Sequence, residues 1–454
     1  MGTAIGRHQE FMFQNAVCSE SGFDPRTISE VDDDGRPRRT GTVWTASAHI
    51  ITAIIGSGFL SLAWGMAQLG WIAGISVLLT FSVITYYTSS LLADCYRYPN
   101  SVSGKRNYTC MAAVNAYLGE NMRKVCGLFQ FLILSGATIG YTITASVSMM
   151  AIRKSNCFHK RGHRAPCKFS SNQYMIGLGI TEIWAGICQG HGHRTTLTGV
   201  EVGVDVTAAE KIWTIFRAIG DMAFACAYSV ILIEIQDTLR SSPAENKAMK
   251  KANMIAVLTS TSFYLMCGCF GYAAFGNRAP GNMLTGFGFY EPFWLIDLAN
   301  VCIVVHLVGA YQVLAQPLFS TFESWASLRW PNSGFVNTEY PLKIGSKKLS
   351  FSINFLRLTG RTAFVVVATL LAMALPFFNE ILALLGAISY GPMTVYFPVE
   401  MHIAQNKIKR LSLRGLALQL LNLVCFLVSI AAASSAIQGM GHGLLASKPF
   451  QYKE

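Results

Sequence analysis

Residues 42–74 read TVWTASAHIITAIIGSGFLSLAWGMAQLGWIAG, and this stretch decides the fold. It lies within Thr40 to Ala93, 54 residues without a single Asp, Glu, Lys or Arg, more than twice the roughly 20 that cross a bilayer. Two spans must fold there, with Gly70 and Trp71 marking the turn between them. The first span is interrupted by Ile54-Ile55-Gly56-Ser57-Gly58. Glycine costs about 1 kcal/mol in a helix interior, so two glycines flanking a serine favour a local break. A break at membrane depth is tolerated only where the freed backbone is buried or lines a cavity. In transporters such half-helix N-termini point at anionic groups of a substrate; the plainer alternative is a small-residue packing face.

The rest of the composition agrees with a membrane chain. Of 454 residues 52% are apolar and 13% charged, against about 25% charged in ordinary globular chains, and the mean hydropathy is +0.38. The net charge of +12 would suggest nucleic acid in a soluble protein, but the charges sit in short clusters between uncharged stretches, where a polytopic protein keeps its orienting residues. Nucleic acid is therefore not an expected partner; the bilayer is. Most of the 12 cysteines lie inside apolar runs and read as packing residues.

Further spans follow at 125–152, 212–233, 252–277, 292–321, 362–379, 381–399 and 415–441, giving nine. A tenth segment, Asn172 to Cys188, is doubtful: it has 17 residues and contains Glu182. Residues 1–40 are polar, without an apolar leader, and are expected to form a disordered cytosolic tail; 41–437 form the transporter domain and 438–454 a short external tail. With the doubtful segment not crossing, alternate sides carry 24 and 11 Lys plus Arg, which places the N-terminus in the cytosol and the C-terminus outside. The sequon Asn107-Tyr108-Thr109 then faces the cytosol and should be unused. The external loop 153–168 holds Cys157 and Cys167; a disulfide between them is plausible outside the cell, with two free thiols as the alternative.

A second interruption, Gly220-Asp221 followed by Phe224-Ala225-Cys226-Ala227-Tyr228-Ser229, lies near the middle of span 212–233. Two broken helices several spans apart point to an inverted-repeat transporter with its site between them. An acidic side chain at this depth costs several kcal/mol unless paired or functional. Asp221 is thus either a structural partner of Arg217, four residues earlier on the same face, or a proton-titrating carboxyl. His49 and His306 are further intramembrane candidates for proton contacts, while Glu234, Glu380 and Glu400 lie near span ends, where interfacial solvation accounts for them. There is no P-loop, dinucleotide fingerprint, metal-ligand cysteine spacing or serine-nucleophile elbow; His191-Gly192-His193 is a weak metal signal. Neither an enzyme nor a cofactor is expected.

Six stretches carry a specific resemblance: residues 42–74 above, NCFHKRGH (156–163), FRAIGDMAFACAYSVILIEIQDTL (216–239), GYAAFGNRAPGNMLTGFGFY (271–290), VVHLVGAYQV (304–313) and VYFPVEM (395–401). The chain resembles, over nearly its whole length, the plant amino acid permeases of the amino acid and auxin permease family, in the amino acid/polyamine/organocation superfamily. The resemblance implies an all-α polytopic fold of five plus five inverted-repeat helices (LeuT-like) with an eleventh appended, and a plasma-membrane symporter that imports amino acids with protons. It also implies that the first break, Ile55, Gly56, Ser57 and Gly58, holds the substrate carboxylate through backbone amides. The second break, Phe224, Ala225 and Cys226, helps hold the amino group, and Tyr141 lines the same pocket.

Two departures stand against it. Family members usually have an aromatic where this chain has Cys226, which puts side-chain selectivity in question. After Ile183 the chain passes almost directly to HRTTLTGVEVG (193–203), so part of helix four and all of helix five, roughly 40 residues at about 20 per span, are expected to be missing from the first repeat. Three readings therefore stay open: a proton-coupled amino acid symporter, a permease-like sensor or interaction protein that no longer transports, and an unstable truncated isoform.

Overall fold

The computed structural model describes residues 32–36, 38–160, 194–283, 293–343, 350–374 and 378–446. Asn172 to Cys188, Cys167 and the His191/His193 pair lie outside the described residues.

Helix α1 (Val43–Ile54) starts where Thr42 closes a capping box with Thr45. A 3-10 turn, Ser57–Ser61, leads into α2 (Leu62–Asp94), which is interrupted at Gly70 (φ 79°, ψ 177°). The interruption divides 38 residues, Ser57 to Asp94, that would extend about 57 Å as one helix, nearly twice the hydrocarbon thickness. The left-handed φ calls for glycine, and so does the packing, since a Cβ there would sit 2.2 Å from the Gly199 amide nitrogen.

A short helix α3 (Cys110–Leu118) precedes the long α4 (Glu120–Lys160). Then come α5 (Ala208–Cys226), α6 (Leu232–Gln236), α7 (Glu245–Phe275), α8 (Phe293–Arg329) and α9 (Phe355–Ala374). Helix α10 (Phe378–Ser389), a π-helical segment Tyr390–Tyr396, α11 (Phe397–Gln405) and α12 (Leu413–Ala446) complete the chain. Strands occur only as two short antiparallel pairs among the described residues. Among the described residues eight helices are long and apolar enough to cross a membrane; dividing the first at Gly70 joins Ser57–Leu69 to α1 and makes nine candidate spans. Helix α12 continues past residue 437, where the external tail was expected to begin.

The packing sets α1 and α2 against α7, α5 against α2 and α10, and α4 against α8 and α10. The core around α1, α2, α5 and α7 sets small side chains such as Ala46, Ala63, Ala67 and Ala225 beside larger ones such as Ile50, Leu62, Met222 and Tyr264. Small residues let helices approach closely where lipid gives no hydrophobic drive for helix association. The 32–40 segment, expected to be disordered, is held by ion pairs: Arg39 reaches Asp32, Asp34 and Asp237 at 3.1, 2.8 and 2.9 Å.

Candidate functional site

Helix α1 stops because Ile55 (φ −74°, ψ 68°) and Gly56 (φ −100°, ψ −142°) leave helical space. Helix α5 stops at Cys226, where Ala227 (φ −91°, ψ 113°) is extended and Tyr228 (φ −135°, ψ 0°) precedes the 3-10 turn Ser229–Ile231. The two breaks touch. A Cβ on Gly58 would lie 3.0 Å from Ala225 Cα and 3.2 Å from Phe224 Cδ1, and one on Gly56 would lie 2.8 Å from the Tyr141 hydroxyl. The structure therefore brings Ile55, Gly56, Ser57 and Gly58 together with Tyr141, Phe224 and Ala225.

Within it the backbone groups are unequal. The Gly56 amide already donates to the Ile54 carbonyl at 2.7 Å. The half-helix that starts at Ser57 leaves its first amides without intrahelical acceptors. Ser57 Oγ is buried without a hydrogen-bond partner in the structure.

Tyr264 of α7, which no sequence signal singled out, joins the breaks. Its hydroxyl lies 2.6 Å from the Ile54 carbonyl and 3.0 Å from that of Ala225, so one proton serves carbonyls freed in both helices. A lone tyrosine inside TSFYLMCGCFGYAAF (261–275) looks like core; only the helix crossing exposes its role. Cys226 lines a small cavity of about 10 Å³ together with Ile54, Ser82, Thr85, Ser260 and Tyr264. That is room for a single water.

Asp221 is fully buried, and neither carboxylate oxygen has a hydrogen-bond partner in the structure. The structural pair with Arg217 does not form. Arg217 instead donates to Glu380 of α10 at 2.7 Å, in a slot that Gly439 of α12 leaves open: a Cβ there would fall 2.4 Å from Arg217 Nη2. Asp221 follows Gly220 at a tight crossing of α5 with α10, where a Cβ on Gly386 would lie 2.0 Å from the Gly220 carbonyl oxygen. A vestibule of about 520 Å³, lined by Trp64, Gln68, Asp205, Thr214 and Arg217, opens above, and Asp221 lies one helical turn beyond Arg217 towards the break.

The other candidates are elsewhere. His49 is on the exposed face of α1 with Thr45, Ala48 and Thr52, while Ala46, Ser47, Ile50 and Ile54 face the core. His306 is half-buried on α8, its Nε2 without a partner in the structure. Neither histidine is brought to Asp221 as a hydrogen-bond partner. Interfacial solvation does not account for the three glutamates: Glu380 holds Arg217, Glu234 accepts the Cys110 amide at 3.2 Å, and Glu400 accepts from Gln419, Asn422 and Arg410 at 2.6, 3.3 and 3.2 Å. Cys157 is disulfide-bonded. Asn107 of the sequon is buried and its amide donates to the Cys95 carbonyl at 3.4 Å. No group of three or more His, Cys, Asp or Glu side chains is placed to hold a metal ion among the described residues.

Comparison with known proteins agrees with this architecture. The sequence profile of the family described as transmembrane amino acid transporter protein matches residues 39–189 and 180–441. Amino acid permease 6 of Arabidopsis thaliana is 54% identical, covering 96% of this chain and 99% of its own length. Amino acid permease 8 of the same plant is 52% identical over 97% of this chain and 99% of its own. The alignment with amino acid permease 6 runs over 477 positions, more than the 454 residues available here, so at least 23 positions of that relative face a gap. In fold, the crystal structure of MhsT in complex with L-phenylalanine is similar, with a TM-score of 0.52 at 12% identity, over 88% of this chain and all of that one. Two helices broken side by side in a LeuT-like bundle, with half the residues identical to named permeases, leave one assignment: this chain is a transporter, not an enzyme, and belongs to the transmembrane amino acid transporter family, among the plant amino acid permeases.

Proposed function

We propose that this protein is a proton-coupled symporter that imports amino acids across the plasma membrane, with its N-terminus in the cytosol and its C-terminus outside. One observation carries the reading: the 3-10 turn after the first break meets the last turn of α5 before the second, Gly58 against Phe224 and Ala225, and Tyr264 bridges the carbonyls of Ile54 and Ala225. The amides of Ser57 and Gly58 receive the α-carboxylate, supported by the helix dipole. The carbonyls freed at the second break receive the ammonium group, and Tyr141 with Phe224 closes the pocket over the side chain. Asp221, without a hydrogen-bond partner and one turn beyond the Arg217–Glu380 pair, takes up the coupled proton from the vestibule. His49 and His306 remain candidates for proton relay, and Cys157 with Cys167 for an external disulfide.

The test is uptake of a labelled amino acid by a transport-deficient yeast expressing the full chain. Uptake should fall as external pH is raised and on adding a protonophore. Uptake insensitive to both overturns the coupling. The gap against amino acid permease 6 favours a second reading, a permease-like protein with little or no transport; correct surface delivery with no uptake and retained amino acid binding selects it.

A further inference from the structure

The 32–40 segment does more than lie against the bundle. Arg97 binds Asp33 at 2.8 Å and Glu245 at 2.8 Å; Arg106 binds Asp33 at 2.5 Å and Glu245 at 3.2 Å. With the Arg39 pairs already described, five carboxylates (Asp32, Asp33, Asp34, Asp237, Glu245) face three ion-paired guanidinium groups, with Arg36, stacked on Tyr108, as a fourth cation nearby. The three paired guanidinium side chains are nearly inaccessible, at 8, 6 and 1% exposure for Arg39, Arg97 and Arg106. Next to the cluster, the Gly41 amide donates to the Thr238 carbonyl at 3.0 Å, and the Arg240 amide to the Gly41 carbonyl at 3.1 Å. Gly41 precedes α1 and Thr238 follows α6, so the segment ties together the half-helices leading away from the two breaks on this face.

Like Asp33, Ser241 is exposed at the edge of this cluster. Its hydroxyl accepts from Arg106 Nη2 at 2.8 Å and donates to Asp32 at 3.2 Å, while Arg240, Ser242 and Pro243 beside it are also exposed. We propose that Ser241 is a phosphorylation site whose phosphate releases the 32–40 segment and so unties α1 from α6. A protein kinase transfers the γ-phosphoryl group of ATP: the Oγ–P bond forms, the bond from the γ-phosphorus to the ADP oxygen breaks, and the hydroxyl proton leaves. The product can no longer donate to Asp32. It adds about −1.5 to −2 charge to a cluster already in carboxylate excess, and its oxygens compete for Arg106 with Asp33 and Glu245. Like-charge repulsion within the cluster then expels the acidic segment. The proposal rests on the cytosolic placement of this face.

The experiment uses the full chain in lipid nanodiscs with phosphoserine incorporated genetically at 241, or at 242 as a control. The readout is the rate of trypsin cleavage after Arg38 and Arg39. Phosphoserine at 241 should raise that rate roughly tenfold, and phosphoserine at 242 should not. The double variant Asp32→Asn/Asp33→Asn should be cleaved fast with Ser241 unmodified. An unchanged rate with phosphoserine 241 while the double variant is cleaved fast overturns the assignment of Ser241; an unchanged rate in both overturns the latch itself. Sealed vesicles of both orientations, given kinase and radiolabelled ATP outside, separate the topology: label on Ser241 in right-side-out vesicles refutes the cytosolic reading and leaves the cleavage result standing.

Discussion

At the scale of single residues, the site depends on groups whose value comes from what they lack. Asp221 lacks a hydrogen-bond partner because Arg217 has turned to Glu380, and a buried carboxyl in that position is expensive unless it is protonated for part of a cycle. Asp221→Asn should keep amino acid exchange but lose accumulation driven by acid outside. Counterflow and net uptake, measured on the same cells, separate the two; unchanged accumulation would place the proton elsewhere. Tyr264→Phe removes one hydroxyl shared by two carbonyls and keeps the ring. Leaving those carbonyls without it should cost about 1 kcal/mol or somewhat more and lower the melting temperature by a few degrees, with a several-fold loss of uptake. A variant as stable and active as the parent would show that the bridge is incidental.

At the scale of elements, broken helices are held in register by tight crossings and by the ionic segment on the opposite face. The acids of that segment are set to stay charged. Burial opposes ionisation of Asp34, but the hydrogen bonds from Arg39 and the Arg36 amide outweigh it and lower its carboxyl to about 2. Arg39 likewise outweighs burial at Asp32, whereas burial raises Asp237 despite its Tyr96 and Arg39 partners. A carboxyl lowered in the folded state stabilises fully above its ordinary value, 3.8 for Asp34, and loses that contribution as pH falls towards about 2. Asp237, shifted the other way, takes up a proton first. The hydrogen-exchange rate of the Gly41 amide, corrected for its intrinsic pH dependence, should therefore stay constant from neutral pH down to the ordinary carboxylate range and rise only below it. A rise in weakly acidic buffer would show that Asp237 alone controls the segment.

At the scale of the whole molecule, the question is what the internal gap does to a two-repeat machine. The contacts between the breaks are complete, yet at least 23 positions of amino acid permease 6 have no counterpart here. If the absent part is a wall of the ion pathway between repeats, uptake should be well below that of amino acid permease 6. Grafting that relative's intervening segment after Ile183 should raise it several-fold. Equal uptake before and after grafting would show the segment to be dispensable. An epitope tag at Thr195 should be reachable from outside intact cells and one at Ser241 should not; the reverse pattern would invert the topology.

Much of this was legible from residue order alone, for reasons of solvent. In lipid every backbone polar group must be satisfied within its own segment, so uncharged runs such as Thr40 to Ala93 can only be spans, and glycines flanking Ser57 can only mark a break or a close contact. Both held at once: Gly56 and Gly58 break the helix and also admit Tyr141, Ala225 and Phe224. What the sequence left open was partner choice among polar groups. Arg217 lies one turn from Asp221, and local spacing favours that pair, but a slot opened by Gly439, 222 positions away in the chain, turns the guanidinium to Glu380. Tyr264, Glu234 and Glu400 acquired partners in the same way, and the segment after residue 31 gained order from arginines on other loops. Hydropathy is a property of neighbours along the chain, whereas a buried charge is settled by whichever helix the tertiary packing places beside it.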